Sequence, residues 1–428
     1  MNVKDRRFRI AMLSVHSSPL GKLGSQDTGG MSVYIRELAR QLGRIGQRVD
    51  IYTRFEKKHQ DKEVSLSENV RLIRLDMGDN GPVPKDSLVN YLPLFFDSME
   101  SYRSRHHLCY DLIHSHYWLS GRVGVVAQRK WNVPHLVTFH TTGMAKKISC
   151  GNENESRFRL IAEKKLAHEC DRIIAPTKRE KALLSRYYSI PSGKIGLVPC
   201  GVNLGRFHPV PQDQARRQLG LEKSGPLILY VGRFAPVKGI ERLIDAMIYL
   251  RSNYPDLVLM IIGGDGHASS SFHALSRKAR KLGIHGSVKF EGRILHDKLP
   301  FYYSAADVLA VPSYYESFGL VALESLACGT PVVASRVGAM DSLVQRGKTG
   351  AIVDFPGPQR IAHAIDEVIM MLARGLISQE SVRGSVMGHG WQKIASAILS
   401  EYLAVIQSNG SSTANFRREL GIACGIKY

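Results

Sequence analysis

Short apolar runs rich in β-branched residues alternate with glycine-bearing loops and amphipathic segments through the first half of the chain. Arg9–Val15 is the first such run. After the loop Gly21–Gly30, the segment Val33–Leu42 places apolar side chains on one helical face and turns Arg36 and Glu37 away from it. Further strands are predicted at Val49–Tyr52, Val70–Leu75, Leu112–Ser115, His135–Phe139 and Arg172–Ala175. This alternation indicates a parallel sheet covered by helices.

The same alternation starts again at Leu227–Val231, after the polar stretch Val210–Gly225. Strands are predicted at Leu257–Ile262, Val288–Phe290, Val308–Val311 and Val332–Ala334, and helices at Ile240–Leu250, Phe272–Leu282, Leu299–Ser304 and Leu320–Ala327. A last helix is predicted at Trp391–Ile406, followed by a loosely held tail. Two α/β halves of similar size follow, with the natural ligand site in a crevice between the carboxyl ends of two sheets.

Composition adds a strong positive charge to this picture. The chain has 58 Lys and Arg against 38 Asp and Glu, a formal net charge of +20, which favours an anionic partner such as nucleic acid, a membrane surface or phosphorylated metabolites. A content of 44% hydrophobic residues excludes a largely disordered chain. No apolar run reaches the roughly 18 residues of a spanning helix and no signal-peptide pattern is visible, so we expect a cytoplasmic protein.

A glycine-rich turn follows the first predicted strand. The loop GKLGSQDTGG ends in the pair Gly29–Gly30 at the start of a helix, where backbone N–H groups can approach an anion closely. The loop has neither the GxGxxG pattern nor the P-loop lysine. Hydride transfer and nucleotide hydrolysis therefore lack their usual signatures here.

Two segments of the second half carry residues suited to a diphosphate and a sugar. VGRFAPVKG places Arg233 and Lys238 in one loop after a strand, where two cations can grip a diphosphate. PSYYESFGLVALESLACGTPVVAS places Glu316 before a helix N-terminus and Glu324 within that helix. The helix start offers N–H groups to phosphate, and the two carboxylates can accept hydrogen bonds from sugar hydroxyls.

Three motifs in this order, DTGGMSVYIRELARQL, GRFAPVKG and ESFGLVALESLACGTPVVAS, resemble the retaining family-4 glycosyltransferases from about Arg9 to Tyr402. YDLIHSHYWLSG is similar to the mycothiol-pathway N-acetylglucosaminyltransferases, and GPVPKDSLVNYLPLFFD to the sucrose-phosphate synthases. The resemblance implies the α/β fold GT-B, with two Rossmann-like parallel-sheet domains facing a central cleft. The implied parts are an acceptor domain (1–208), a nucleotide-sugar domain (209–390), a helix returning to the first domain (391–407) and a tail (408–428).

The resemblance also implies a donor site. Arg233 and Lys238 would hold the diphosphate, Glu324 the ribose, and Glu316 the hydroxyls of the transferred sugar. The other implied donor-binding positions are Gly30, Arg293, Ile294, Leu320 and Val321.

On the acceptor side, the resemblance implies a phosphate-binding group formed by Lys85, Tyr117, Thr141 and Arg159. His140 matches the histidine beside the reacting sugar, and it joins Glu316, Arg233 and Lys238 in the implied catalytic set. His114 and His116 are two residues apart in a predicted strand, a spacing that could suit metal ligands, but no nearby carboxylate pair or cysteine completes a site. We assign them packing or hydrogen-bonding roles.

The leading hypothesis is a retaining transferase that moves glucose or N-acetylglucosamine from a UDP-sugar to a phosphorylated sugar or polyol. The sequence contains no Asp-x-Asp, so we expect a metal-independent mechanism that requires no cofactor. Where the mycothiol branch has GGMN and the sucrose-phosphate branch has GGQ, this chain has GGMS, with Met31 and Ser32 at those places. This departure leaves the identity of the acceptor open.

Two other functions compete with this hypothesis. One is a peripheral membrane enzyme at the inner membrane face, acting on a phosphoinositide-type lipid. The other is a nucleic-acid binder, which the dispersed basic residues and the lack of a recognition motif argue against. The sequence is also compatible with a homodimer.

Overall fold

The computed structural model contains two α/β domains, each built on one sheet. The residues that it describes are 7–21, 29–55, 61–78, 83–150, 155–221, 225–264, 266, 269–354 and 356–420. Most of the loop Gly21–Gly30 and the end of the tail, residues 421–428, therefore lie outside the described residues. Within the described ranges, no helix is both long enough and apolar enough to cross a membrane.

The first domain is built on an eight-stranded sheet in the order β3-β4-β2-β1-β5-β6-β7-β8. All of its neighbours are parallel except β3 and β4. The strands are β1 (Arg9–Leu13), β2 (Arg48–Arg54), β3 (Glu63–Ser67), β4 (Val70–Leu75), β5 (Leu112–His116), β6 (His135–Thr138), β7 (Arg172–Ala175) and β8 (Ile195–Leu197). The helices are α1 (Gly30–Arg44), α2 (Leu92–Arg105), α3 (Tyr117–Trp131), α4 (Gly143–Cys150), α5 (Arg157–Glu169) and α6 (Lys178–Tyr188).

The second domain is built on a six-stranded parallel sheet in the order β11-β10-β9-β12-β13-β14. The strands are β9 (Leu227–Gly232), β10 (Val258–Gly263), β11 (Val288–Gly292), β12 (Val308–Val311), β13 (Val332–Ser335) and β14 (Gly350–Val353). The helices are α7 (Gln212–Gln218), α8 (Ile240–Arg251), α9 (Ser270–Lys281), α10 (Leu299–Ala305), α11 (Leu320–Ala327), α12 (Met340–Leu343), α13 (Pro358–Ala373) and α14 (Gln379–Gly384), and they are followed in sequence by α15 (Trp391–Leu420).

The strand order reverses beside β1 in the first domain and beside β9 in the second. At such a reversal the loops after neighbouring strands diverge and leave a crevice at the carboxyl ends of the strands. The structure thus confirms the predicted class of two parallel-sheet α/β domains that face a common cleft.

Each strand predicted from the sequence overlaps an observed strand, but β3, β8 and β14 were missed. The three missed strands all lie at sheet edges. β3 alternates polar and apolar residues, and β8 and β14 are only three and four residues long and contain a glycine, which disfavours a strand. The last helix was also predicted too short, since it continues from Ile406 to Leu420. The polar residues there disfavour a helix only weakly and include no proline to end it.

Glu37 was predicted to face away from the core, and this is wrong, because its residue is only 3% exposed. The segment that leads to the second domain covers it: Asn203 Nδ2 donates to Glu37 Oε2 at 3.5 Å, and Arg206 Nη1 lies 3.8 Å from Glu37 Oε1. Burial of this carboxylate is offset by the nearby guanidinium groups. The pattern of one helix could not predict a tertiary partner so far along the chain.

Helix α15 packs against the first domain although it follows the second in sequence. A hydrogen bond of 2.7 Å links Tyr402 Oη to His114 Nδ1 of β5, and Arg172 Nε donates to Glu401 Oε2 at 2.7 Å. At the helix start, the ring of Trp391 stands edge-on to Tyr34 of α1, with centroids 5.3 Å apart. These contacts tie the end of the chain to the domain where it began.

We expect Tyr402→Phe to destabilise the protein by about 1–3 kcal/mol, because it leaves a nitrogen of the fully buried His114 without its partner. The measurement is the free energy of unfolding in urea. Ser400→Ala is the matched control, since this exposed residue lies on the same helix and bonds only locally to Ser396. Equal stabilities of the two variants would contradict the role of this contact.

Candidate active site

A cleft of about 590 Å³ opens between the two domains at the carboxyl ends of their central strands. The predicted site residues that line it are Gly30, Lys85, Tyr117, His140, Thr141, Arg233, Lys238, Arg293, Ile294, Glu316, Leu320, Val321 and Glu324. Arg159 does not itself line the cleft, but it contacts two residues that do, Thr141 and Tyr117. The fold therefore gathers residues that are almost 300 positions apart in the sequence into one site.

Two helix N-termini meet at this cleft. Gly30 begins α1 and Leu320 begins α11, and a Cβ atom added to Gly30 would lie 3.1 Å from Leu320 Cδ1. The first-turn amides of a helix have no carbonyl partner within the helix, and its dipole presents positive charge at this end. Gly319, which caps α11, has φ = +105°, a conformation that favours glycine. This part of the cleft is thus suited to bind phosphate groups.

Lys238 and Glu316 form an ion pair across two loops of the second domain. Lys238 Nζ donates to Glu316 Oε1 at 2.6 Å, and Ser313 Oγ donates to the same oxygen at 2.8 Å. Gly239 allows this close approach, because a Cβ there would lie 2.1 Å from the carbonyl oxygen of Pro312. The loop after β9 and the loop after β12 are therefore held together where the strand order reverses.

Glu324 is fixed at the wall of the cleft by two neighbours. His296 Nε2 donates to Glu324 Oε1 at 2.7 Å, and Tyr303 Oη donates to Glu324 Oε2 at 3.0 Å. Arg206 Nη1 donates to His296 Nδ1 at 3.2 Å, so the histidine has its proton on Nε2. His296 belongs to none of the motifs recognised in the sequence. The one feature that could have indicated it is its position three residues after Arg293.

Uncharged histidines form the wall of the first domain, with His114 and His116 buried and His140 half-buried. Burial, together with nearby His114, lowers the pKa of His140 to about 3. His140 has φ = +59° and shares a 2.9 Å hydrogen bond from its Nε2 to His116 Nδ1. His114 bonds to Tyr402 and, through Nε2, to Thr138 at 2.9 Å. These bonds confirm the hydrogen-bonding roles predicted for His114 and His116.

No cluster of three or more His, Cys, Asp or Glu side chains suited to a metal ion occurs in the described part of the chain.

Tyr117 organises the predicted acceptor end. Lys85 Nζ lies 4.2 Å from the centre of its ring, and Arg159 Cζ lies 5.1 Å from it. The ring of His16, with its centroid 4.4 Å away, packs on the same tyrosine. Lys146 also lines the cleft and was missed together with His16, because neither residue belongs to a recognisable motif. Two lysines and an aromatic ring with a hydroxyl group make this end of the cleft suited to an anion.

Arg159 is bonded to Thr141 and to two carboxylates at this end of the cleft. It is 6% exposed, and its Nη2 donates to the carbonyl oxygen of Thr141 at 3.1 Å. Its other nitrogens donate to carboxylates, Nε to Glu163 and Nη1 to Glu155, both at 2.7 Å. In this arrangement Arg159 holds Thr141 and Tyr117 in place, and its contact with the acceptor stays a prediction.

Two family models match the chain. The model described as Glycosyltransferase Family 4 matches residues 28–206, and that described as Glycosyl transferases group 1 matches residues 211–371. Between them they span both faces of the cleft.

Several curated proteins and solved structures are similar along nearly the whole chain. D-inositol 3-phosphate glycosyltransferase 2 of Catenulispora acidiphila is 37% identical over 407 residues, covering 93% of this chain and 95% of that protein. D-inositol 3-phosphate glycosyltransferase of Corynebacterium diphtheriae is 39% identical over 369 residues, covering 85% and 86%. Sucrose-phosphate synthase from Thermosynechococcus elongatus superposes with a TM-score of 0.86 at 35% identity, covering 94% of this chain and all of that one. The chain therefore belongs to the group-1 and family-4 glycosyltransferases and is a sugar-transferring enzyme of the two-domain GT-B fold.

Proposed function

We propose that this enzyme transfers a sugar from a UDP-sugar to a small phosphorylated acceptor and retains the configuration at the anomeric carbon. The observation that supports this most strongly is the presence of two anion-binding regions in one cleft. One is formed by α11, Arg233 and Lys238 of the second domain, and the other by Lys85, Lys146 and Tyr117 of the first. A diphosphate donor and a phosphorylated acceptor would meet between them.

The acceptor proposed first is an inositol phosphate. Curated relatives at 36–39% identity are named D-inositol 3-phosphate glycosyltransferases, and their sequences are covered almost completely. The similarity to sucrose-phosphate synthase makes a hexose phosphate the second candidate. Both candidates carry a phosphate beside several hydroxyl groups, which fits a pocket that combines lysines with Tyr117 and Thr141.

At the donor end, positive groups would stabilise the leaving diphosphate. Arg233, Lys238 and the amides of Leu320 and Val321 would contact its oxygens, where negative charge grows as the sugar departs. Glu316, now paired with Lys238, would accept hydrogen bonds from the sugar hydroxyls when the diphosphate takes over that lysine. Glu324, held by His296 and Tyr303, would accept from the ribose.

The transfer step breaks the bond between the anomeric carbon and the diphosphate oxygen and forms a bond from that carbon to an acceptor oxygen. Burial lowers the pKa of His140 to about 3, so it would be a weak base at neutral pH, and we assign the removal of the acceptor proton to another group. Attack on the face that the diphosphate leaves brings the acceptor hydroxyl next to the departing oxygen, which would take the proton. His140 would instead orient the sugar by a hydrogen bond, with its ring held by His116.

Replacing Arg233 or Lys238 by alanine is expected to lower kcat by about 100-fold or more, because each removes a charge that stabilises the leaving group. UDP release measures the rate, and circular dichroism checks that the variants are folded. Lys289→Ala is the control, since Lys289 is exposed on β11 and outside the cleft. Normal rates in both cleft variants would refute the donor assignment.

Lys85→Ala is expected to raise KM for the phosphorylated acceptor by about tenfold and to leave KM for the UDP-sugar unchanged, since a charged hydrogen bond contributes about 1.5 kcal/mol or more. The two KM values are measured separately at saturating co-substrate. Lys165→Ala, whose side chain is 73% exposed on α5, provides the comparison. An equal rise in both KM values would contradict an acceptor role for Lys85.

The anomeric configuration of the product is expected to match that of the donor, and the rate is expected to be unchanged by EDTA. The positive groups of the cleft already oppose the charge of the diphosphate, and the sequence has no Asp-x-Asp. Proton NMR of the fresh product gives the configuration. An inverted product, or activity that EDTA abolishes and a divalent metal restores, would overturn this mechanism.

A further inference from the structure

Glu155 lies between two cations at the acceptor end of the cleft. Its Oε1 accepts from Lys146 Nζ at 2.9 Å, and its Oε2 accepts from Arg159 Nη1 at 2.7 Å. The side chain is 11% exposed. Although burial opposes ionisation, Arg159 and Lys146 hold the pKa of Glu155 below its usual range. The carboxylate is therefore ionised at neutral pH, with one oxygen bonded to each cation.

Arg159 has a second carboxylate partner in Glu163. The Glu163 side chain is fully buried and accepts from Arg159 Nε at 2.7 Å, from the Gly143 amide at 2.8 Å and from the Tyr188 hydroxyl. Removing Glu163 would leave a buried charge and several donors unsatisfied. Glu155 thus brings a second carboxylate to a guanidinium that is already neutralised. Glu163 alone is enough to neutralise Arg159, so charge balance at Arg159 does not require Glu155.

The two cations that Glu155 joins belong to the acceptor wall. Lys146 lines the cleft, and Arg159 holds the carbonyl of Thr141, which also lines it. Two oxygens that each accept from one cation reproduce the way a phosphate group is bound by a pair of basic side chains. Glu155 therefore presents its carboxylate as a phosphate would present two of its oxygens.

We propose that Glu155 is an internal counter-ion for the acceptor-phosphate site and that the phosphate displaces it from Lys146 and Arg159. The proposal rests on the acceptor site proposed above and adds a competing group to it. Such a carboxylate keeps two partly buried cations paired before the acceptor arrives, and it weakens the binding of free inorganic phosphate.

The N-terminus of α5 can stabilise the Glu155 carboxylate after it is displaced. Glu155 immediately precedes Ser156, which caps α5 by accepting from the Arg159 amide at 3.2 Å. A carboxylate at a helix N-terminus is stabilised by the helix dipole and by solvent. Glu155 can therefore remain ionised after a change of side-chain rotamer that releases Lys146.

The test is the affinity of the full chain for inorganic phosphate, measured by titration calorimetry at constant ionic strength. We expect Glu155→Gln to tighten phosphate binding by about five- to tenfold, which corresponds to roughly 1–1.4 kcal/mol. A purely structural role would predict weaker binding. Glu169→Gln is the matched control, because Glu169 lies at the far end of α5 from Glu155 and pairs with the exposed Arg129. Its phosphate affinity is expected to equal that of the wild type.

A second variant protects the test against misfolding. Glu155→Asp keeps the charge but shortens the side chain, so it can no longer reach both cations, and its phosphate affinity is expected to fall between those of the wild type and Glu155→Gln. In kinetics, Glu155→Gln is expected to lower KM for the phosphorylated acceptor while KM for the donor stays constant.

The outcomes separate the two proposals. If the wild type binds phosphate and the folded Glu155 variants bind it no more tightly, the counter-ion role is wrong and the acceptor site stands. If neither the wild type nor any variant binds phosphate, the acceptor assignment itself is wrong, and the counter-ion role is lost with it.

Discussion

Each end of the cleft combines cations with carboxylates from the chain itself, and this pairing governs how the site is arranged. Charges removed from water need partners, so Lys238 is bonded to Glu316 and Arg159 to Glu163 and Glu155. The same groups are those expected to meet two phosphorylated ligands. Binding would then exchange an internal carboxylate for an external phosphate, which limits the cost of keeping cations in a partly buried cleft. The placement of a few paired cations, more than the total charge of +20, accounts for the proposed selectivity.

The fold supplies the geometry that this exchange needs. Parallel strands send their following loops to one edge of each sheet, and the reversal of strand order beside β1 and β9 opens that edge. Gly239 lets the Lys238 loop approach the Glu316 loop, and the starts of α1 and α11 bring two helix dipoles to the same place. Helix α15 returns from the second domain to the first and bonds to His114, which packs beside His116, the partner of His140. The cleft wall that contains His140 is thereby linked to helix α15.

Much of this could be predicted from the sequence, because interior strands and helix α11 have continuous apolar patterns and the donor motifs are contiguous. The edge strands are less clear, because β3 alternates polar and apolar residues and the short strands β8 and β14 contain a glycine. Side-chain partners that are brought together only by tertiary structure could not be predicted either. They include His296 beside Glu324, Lys146 beside Glu155, and the residues that bury Glu37. Arg159 shows the limit most clearly. The family resemblance places it near the acceptor, but only the structure shows that it holds the carbonyl of Thr141 and pairs with two carboxylates.

The central claim is that one cleft joins a UDP-sugar to a phosphorylated acceptor. The most direct measurement is a screen of UDP-sugars against inositol phosphates, hexose phosphates and their unphosphorylated counterparts, with UDP release as the readout and mass determination of each product. The account predicts a product that carries both the donated sugar and the acceptor phosphate, and little turnover with unphosphorylated acceptors. Equal turnover of phosphorylated and unphosphorylated acceptors, or transfer only from donors without a diphosphate, would contradict it.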